Sequence, residues 1–165
     1  MAEPELRDAN FFHTIIYMVR HDAGGAMGIV INRSIGRWPV AEVMRNLGID
    51  AGDNREIVRV HYGGPVEPEA AFVIHSTDYI QDGTVEVSEV VSMTSRREIF
   101  EAIARGEGPR DRLLAFGFSG WGPGQLEREL DQGGWFVLPG DAEFLFDPAI
   151  DSKWDRALAR RTIDL

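Results

Sequence analysis

Hydrophobic and polar positions change period several times along this chain, and each change marks an element. Residues 13–21 (HTIIYMVRH) are dense in β-branched and aromatic side chains, which predicts a strand. Asp22-Ala-Gly-Gly25 has turn chemistry, and residues 26–33 (AMGIVINR) read as the returning strand of a hairpin. Gly28 inside that strand points to a bulge or a close backbone approach. Over residues 39–47, Val40, Val43, Met44 and Leu47 recur at helical spacing, with Pro39 suited to the first turn and Gly48 to the stop. Residues 56–62 (EIVRVHY) alternate: Val58, Val60 and Tyr62 share one face, Ile57, Arg59 and His61 the other. Gly63-Gly64-Pro65 closes this strand.

Residues 70–75 (AAFVIH) predict a further strand, and Asp82-Gly83 a hairpin turn ahead of a strand over 84–93. A helix is expected over 95–105, opened by a capping box of Ser95 and Glu98 and ended by Gly106. The continuous apolar run 113–118 (LLAFGF) fits a strand buried on both faces. A third helix over 122–132, a short strand over 135–138 and a last helix opening near Asp147-Pro148 complete the reading. Hairpins alternate irregularly with crossovers. The expectation is α+β: a single domain over residues 1–165, with mixed, coiled β-sheets flanked by about four helices. Strands and helices do not alternate as a doubly wound nucleotide-binding fold requires.

Composition narrows the functions. The chain has 165 residues with 27 acidic and 17 basic side chains, a formal net charge of −10, and no cysteine. Thiol nucleophiles and Cys-based zinc sites are excluded. The acidic balance opposes phosphate contacts, so direct nucleic-acid binding is not expected. No apolar run approaches the ~20 residues of a membrane span, and residues 1–12 hold no signal-like apolar core, so the expected location is cytoplasmic. The densest basic cluster, Lys153, Arg156, Arg160 and Arg161, reads as the solvated face of the last helix.

The segment from Gly117 to Glu127 (GFSGWGPGQLE) carries the most chemical information. A nucleophile elbow at Ser119 needs a small residue where Trp121 stands, and all four histidines precede the serine. A phosphate cradle needs a Lys-Ser/Thr pair after Gly124; Gln125 and Glu127 occupy that stretch instead. The remaining reading is architectural: Gly120, Gly122 and Gly124 allow positive φ and let the backbone pass over Trp121, which anchors the turn, and Gln125 can bond a loop carbonyl. His61 and His75, on neighbouring strands, could meet and hold a metal, but no third ligand is identifiable by spacing. Glu127 and Asp131, at i and i+4, read as a solvated acidic face. The candidate pocket therefore comprises His61, Gly63, Gly64, His75, Ser119, Gly120, Trp121, Gly124, Gln125 and Glu127. No catalytic set, metal or cofactor is assigned.

Several segments occur in a recognisable order: Gly25-Ala-Met-Gly-Ile-Val-Ile-Asn-Arg33, Tyr62-Gly-Gly-Pro-Val66, Gly117-Phe-Ser-Gly-Trp121, Gly124-Gln-Leu-Glu127, Trp135, Phe144-Leu-Phe-Asp147 and Lys153-Trp154. Together they resemble the AlgH/YqgE family of bacterial proteins, over nearly the whole chain. The resemblance implies a single cytosolic α+β domain with coiled mixed sheets. One branch carries the name of a transcriptional regulator of exopolysaccharide synthesis, but no reaction, cofactor or catalytic residue comes with the likeness. It also implies an apolar strand ahead of Asp8 and residues beyond the last helix, so either the first sheet lacks an edge here or the start of the chain was assigned late. The function expected is a non-enzymatic binding or regulatory module with a protein partner. The alternative is a small-molecule binder or hydrolase-like enzyme using the turn from Ser119 to Glu127.

Overall fold

A computed structural model describes residues 1–163. Eight strands form one coiled sheet, and five α-helices cover its faces. The strands are β1 (Ile16–Asp22), β2 (Gly25–Val30), β3 (Ser34–Pro39), β4 (Ile57–Tyr62), β5 (Val66–Ser76), β6 (Val85–Glu86), β7 (Val91–Thr94) and β8 (Arg112–Trp121). The helices are α1 (Val40–Asn46), α2 (Arg97–Ala104), α3 (Gln125–Asp131), α4 (Ala142–Phe146) and α5 (Lys153–Ile163), the last preceded by a 3₁₀ turn at Ile150–Ser152.

β8 is the axis of the sheet. β5 runs antiparallel along one of its edges, while the other edge is shared by parallel β4 at Leu114–Phe116 and antiparallel β2 at Ser119–Trp121. β1 extends β2, β3 extends β4, and β7 and β6 extend β5. The sheet is thus mixed, as the hairpin-and-crossover order implies, with β4–β8 its parallel pair.

Period-two alternation in β8 separates two cores. Leu114, Val60 and Val73 face one side, against Val40, Val43 and Met44 of α1 and Ile99, Phe100 and Ile103 of α2. Leu113, Ala115, Phe72 and Ile74 face the other, against Leu126 of α3, Leu145 of α4, Trp154 and Ala157 of α5, and the buried Met1 and Ala2. The expected hairpin is present, and the register shifts between Met18 and Arg20, just beyond the pair Met18–Gly28. A Cβ on Gly28 would lie 2.4 Å from Cγ2 of Ile16, so only glycine lets β1 approach this closely.

Other boundaries move for identifiable reasons. Residues 34–39, of which only Pro39 falls in an expected element, form β3 by pairing with β4. The expected strand over 84–93 is two short strands joined by a turn. Arg96, not Ser95, precedes α2, and no side chain caps it. Trp135 makes only an isolated bridge to Ala2, so the expected strand over 135–138 does not form. A short helix, α4, appears instead beyond it, capped by the Asp141 carboxylate accepting from the Phe144 N–H at 2.7 Å.

Candidate functional site

β8 continues to Trp121, so Ser119, Gly120 and Trp121 are strand residues opposite Gly28, Met27 and Ala26 of β2. The chain turns only at Gly122–Gly124, where Gly124 takes φ +68°. Gly120 and Gly122 do not have positive φ, contrary to the expectation; the left-handed residue within the strand is Gly117, at +74°. Gly117 lies against Gly64, itself at φ +151°, and a Cβ on either would come within about 2.3 Å of the other strand's backbone. These glycines allow the loop after β4 to cross β8.

That crossing determines the surroundings of Ser119. Its hydroxyl is fully buried and donates to the Gly63 carbonyl at 3.2 Å. The same carbonyl accepts the Val30 N–H at 2.9 Å. No basic side chain bonds the hydroxyl, and the strand geometry lacks the exposed elbow a serine nucleophile requires.

His61 and His75 do not meet. They sit on strands flanking β8, opposite Ala115 and Arg112 respectively. Alternation sends them to opposite faces: Val60 and Val73 share the α1/α2 face, so His61 turns away from it while His75 lies on it. Nδ1 of His61 is 3.2 Å from the Leu114 carbonyl, and burial, with some effect of Lys153 and Arg59, lowers its pKa to about 4. His75 is bracketed by the Ser76 carbonyl and the Thr94 hydroxyl, each at 2.8 Å, and burial lowers its pKa as well. Both imidazoles are neutral at pH 7. Among the described residues no group of three or more His, Asp or Glu side chains converges as a metal site would require.

The turn after β8 is organised by a residue the sequence reading did not single out. Glu129 on α3 accepts from the indole N–H of Trp121 at 2.9 Å and of Trp135 at 2.8 Å through one oxygen, and from the Gln125 amide at 2.9 Å through the other. Burial acts to raise the Glu129 pKa; the three donors outweigh it and hold the carboxyl below its ordinary value. Gln125 does not bond a loop carbonyl as expected; its side-chain oxygen accepts the Gly122 N–H at 3.0 Å. The two indoles meet edge to face at 5.7 Å, with Phe11 packed on both. A hint lay in the spacing: Gln125 and Glu129 are i and i+4 on a helix that starts just after Trp121. Glu127, by contrast, points to solvent and pairs with His21 at 2.7 Å.

Behind the indoles lies a cavity of about 340 Å³ on the face covered by α3, α4 and α5. Trp121, Trp135, Leu126, Leu130, Ile31 and Met1 form part of its wall, and at its rim Arg160 pairs with Asp141 at 2.6 Å. Of the ten candidate residues only Trp121 lines it. Ser119, Gly63 and Gly64 gather at the strand crossing, Gln125 joins Trp121 through Glu129, and His75 is on the opposite face.

The basic cluster of α5 is solvated only in part: the side chains of Arg156, Arg160 and Arg161 are about 40% exposed, whereas Lys153 turns inward. Lys153 is fully buried, its ammonium 2.8 Å from the Leu145 carbonyl, and burial brings its pKa down to about 8. Arg156 pairs with Asp147, Arg160 with Asp141 and Arg161 with Glu3. Each cation thus faces a carboxylate or a carbonyl of its own chain. Among the described residues no helix is long and apolar enough to cross a membrane.

Comparison with known proteins places this architecture. The chain is 42% identical to a UPF0301 protein of Xanthomonas campestris pv. campestris strain B100, over all of this chain and 88% of the relative. It is 41% identical to the UPF0301 protein Tgr7_2910 of Thioalkalivibrio sulfidiphilus, again over all of this chain and 88% of the relative. The solution structure of the AlgH protein from Pseudomonas aeruginosa superimposes with a TM-score of 0.84 at 36% identity, covering 98% of this chain and 85% of that one. Protein DIP2367 from Corynebacterium diphtheriae shares the fold, with a TM-score of 0.76 at 17% identity over 97% of this chain and 83% of that one. The AlgH-like family profile matches residues 1–165. With the family profile matched over the whole chain and relatives at about 42% identity covered over 88% of their length, the protein belongs to the AlgH-like family.

Proposed function

We propose that this protein is a non-enzymatic binding module of the cytoplasm that regulates through contacts with another protein rather than by holding DNA. The observation that carries this reading is the state of Ser119: buried, bonded to a backbone carbonyl, and without a base. Around it, Trp121, Trp135 and Gln125 direct their donors at Glu129, an arrangement that fixes shape, and the charged side chains bordering the cavity, Arg160 and Asp141, are paired with each other. Two further features oppose DNA. The net charge is −10, and α5, which follows α4 with no strand between, has Arg156, Arg160 and Arg161 paired with Asp147, Asp141 and Glu3 and so presents no free basic recognition face.

The test is a screen of the wild type and Ser119→Ala against ester, amide and phosphoester substrates, with DNA retention measured at ~150 mM salt. The expected result is no turnover above buffer in either protein and no retention. Turnover that Ser119→Ala abolishes, or tight sequence-dependent retention, overturns the reading.

A further inference from the structure

We propose that the face of the β3–β4 ribbon turned away from α1 and α2 docks an acidic segment of a partner protein, with a carboxylate held by Arg37 and Arg59 and an apolar side chain resting on Ile57. This rests on the reading of the protein as a binding module and names the chemistry of its partner. The first observation is register. Arg37 lies directly opposite Arg59, and Pro39 opposite Ile57. Trp38, Val58 and Val60 pack on the α1/α2 core, so alternation turns Arg37, Pro39, Ile57 and Arg59 to the other side. They remain open there: Ile57 is 52% exposed, Arg37 is exposed and Arg59 half-buried. The ribbon comes from the middle of the chain; the described ends are held elsewhere, Met1 by Phe136, and α5 through Arg161 by Glu3.

The second observation is charge. Directly opposite residues hold their Cβ atoms about 5 Å apart, where like charges destabilise a sheet. The chain has 27 acidic side chains, yet among the described residues neither Arg37 nor Arg59 has an ion pair or a side-chain hydrogen bond. Glu56, next to Ile57 in sequence, pairs with Arg112 instead. His61 and Lys153 stand close by. Burial chiefly lowers the pKa of each, and the Arg59 charge acts in the same direction on both. Asp147, the carboxylate that opposes this at Lys153, is held by Arg156. Cations therefore outnumber carboxylates here, in a chain whose net charge is −10. A carboxylate from outside relieves that repulsion.

Geometry sets what the partner carries. Two neighbouring guanidinium groups present forks of donors that match the two oxygens of a carboxylate. Residues 57 and 59 are two apart on β4, about 6–7 Å at the rise of a strand. An extended partner with an acidic and an apolar residue at i and i+2 places both on one side, at that same spacing. The apolar contact separates a protein segment from a free anion. The acidic remainder of the surface repels a long run of negative charge, so one carboxylate among neutral residues fits where a polyanion does not.

The experiment uses the full chain, isotope-labelled, and a capped heptapeptide Ser-Thr-Glu-Thr-Leu-Thr-Ser at ~150 mM salt, where charges beyond ~8 Å are screened. One control peptide has Gln for Glu, the other Ser for Leu. Backbone amide shifts report binding. The expected result is saturable shifts confined to β3, β4 and their neighbours, at least ten-fold weaker binding of the Gln peptide, and weaker binding of the Ser peptide. Arg59→Gln weakens binding at least ten-fold. Arg45→Gln, the same change of charge on α1 over the opposite face, leaves it unchanged, and the unfolding midpoint of each variant reports intact folding. Inorganic phosphate at the peptide's concentration does not displace it. Equal binding of either control peptide, equal weakening by Arg45→Gln, or displacement by phosphate, which would mark a plain anion site, overturns the proposal. So does the absence of saturable binding at ~1 mM, a concentration that corresponds to only about 4 kcal/mol of affinity. The non-enzymatic reading is decided separately, by the turnover screen.

Discussion

The two faces of the sheet are built differently. On one, α1 and α2 pack Val40, Met44, Ile99 and Ile103 against Val60, Val73 and Leu114 in a closed core. On the other, three shorter or more polar helices and the segment 135–140 cover the sheet and leave about 340 Å³ open. The first face is a stability element; the second combines a core with an accessible space. The difference arises from pattern: α2 presents a continuous apolar stripe, whereas α3 buries one residue, Leu126.

The largest expected effect tests that contrast directly. Ile99→Ala removes a fully buried side chain from the closed face and costs about 2–5 kcal/mol, read by urea unfolding. Leu130→Ala, on a half-buried residue already bordering the cavity, costs less than ~1.5 kcal/mol, since little packed volume is lost. Equal losses would remove the distinction between the faces.

Next in size is an acid response from His61. Its pKa falls from 6.5 to about 4 in the folded state, so between those values the unfolded chain binds the extra proton. Stability therefore declines as pH drops from 6.5 towards 4, by on the order of 3 kcal/mol from this group, and falls no further below. His61→Asn, whose amide can still donate to the Leu114 carbonyl, flattens that limb of a plot of stability against pH. An unchanged limb would mean that the protonated ring is tolerated, and with it that this face is wetter than described.

Glu129 gives a smaller effect with the carboxylate sign. Its pKa is lowered on folding, so its contribution is present above the ordinary carboxylate range and is lost as pH falls through the folded value. Glu129→Gln keeps an acceptor but loses the charge, and costs about 1–2 kcal/mol at neutral pH for this partly exposed group. The loss narrows to zero in acid, and the emission of Trp121 and Trp135 shifts to the red at neutral pH. A cost that is constant with pH would show that the charge is not what holds the indoles.

Much of the fold was legible because its signals are local. Val40, Val43 and Met44 announce α1, and the Asp22-to-Gly25 turn announces the first hairpin. What stayed hidden depends on distant partners. β3 exists because β4 pairs with it, and residues 135–138, which look like a strand, pair only with Met1 and Ala2, through a single bridge at Trp135. The site followed the same rule. Trp121 was identifiable by its bulk among glycines, but Glu129 could be recognised only once Trp135 was known to arrive at the same oxygen. The separation of His61 from His75 was implicit in the alternation of residues 56–62, and needed only the order of strands about β8 to become decisive.

The smallest effect concerns Ser119. Its hydroxyl donates one long bond, 3.2 Å, to the Gly63 carbonyl, which keeps a second bond from Val30 when the hydroxyl is removed. Ser119→Ala therefore leaves no buried acceptor without a donor, and it replaces a polar atom by a methyl group in a space that already excludes water. The expected cost is about 0.5–1 kcal/mol, the low end for a lost hydrogen bond. Thermal unfolding measures it. A nucleophile behaves otherwise, since its removal eliminates turnover while stability holds or rises. A loss well above 1 kcal/mol would mean that the crossing of residues 63 and 64 over β8 depends on this hydroxyl rather than on the glycines.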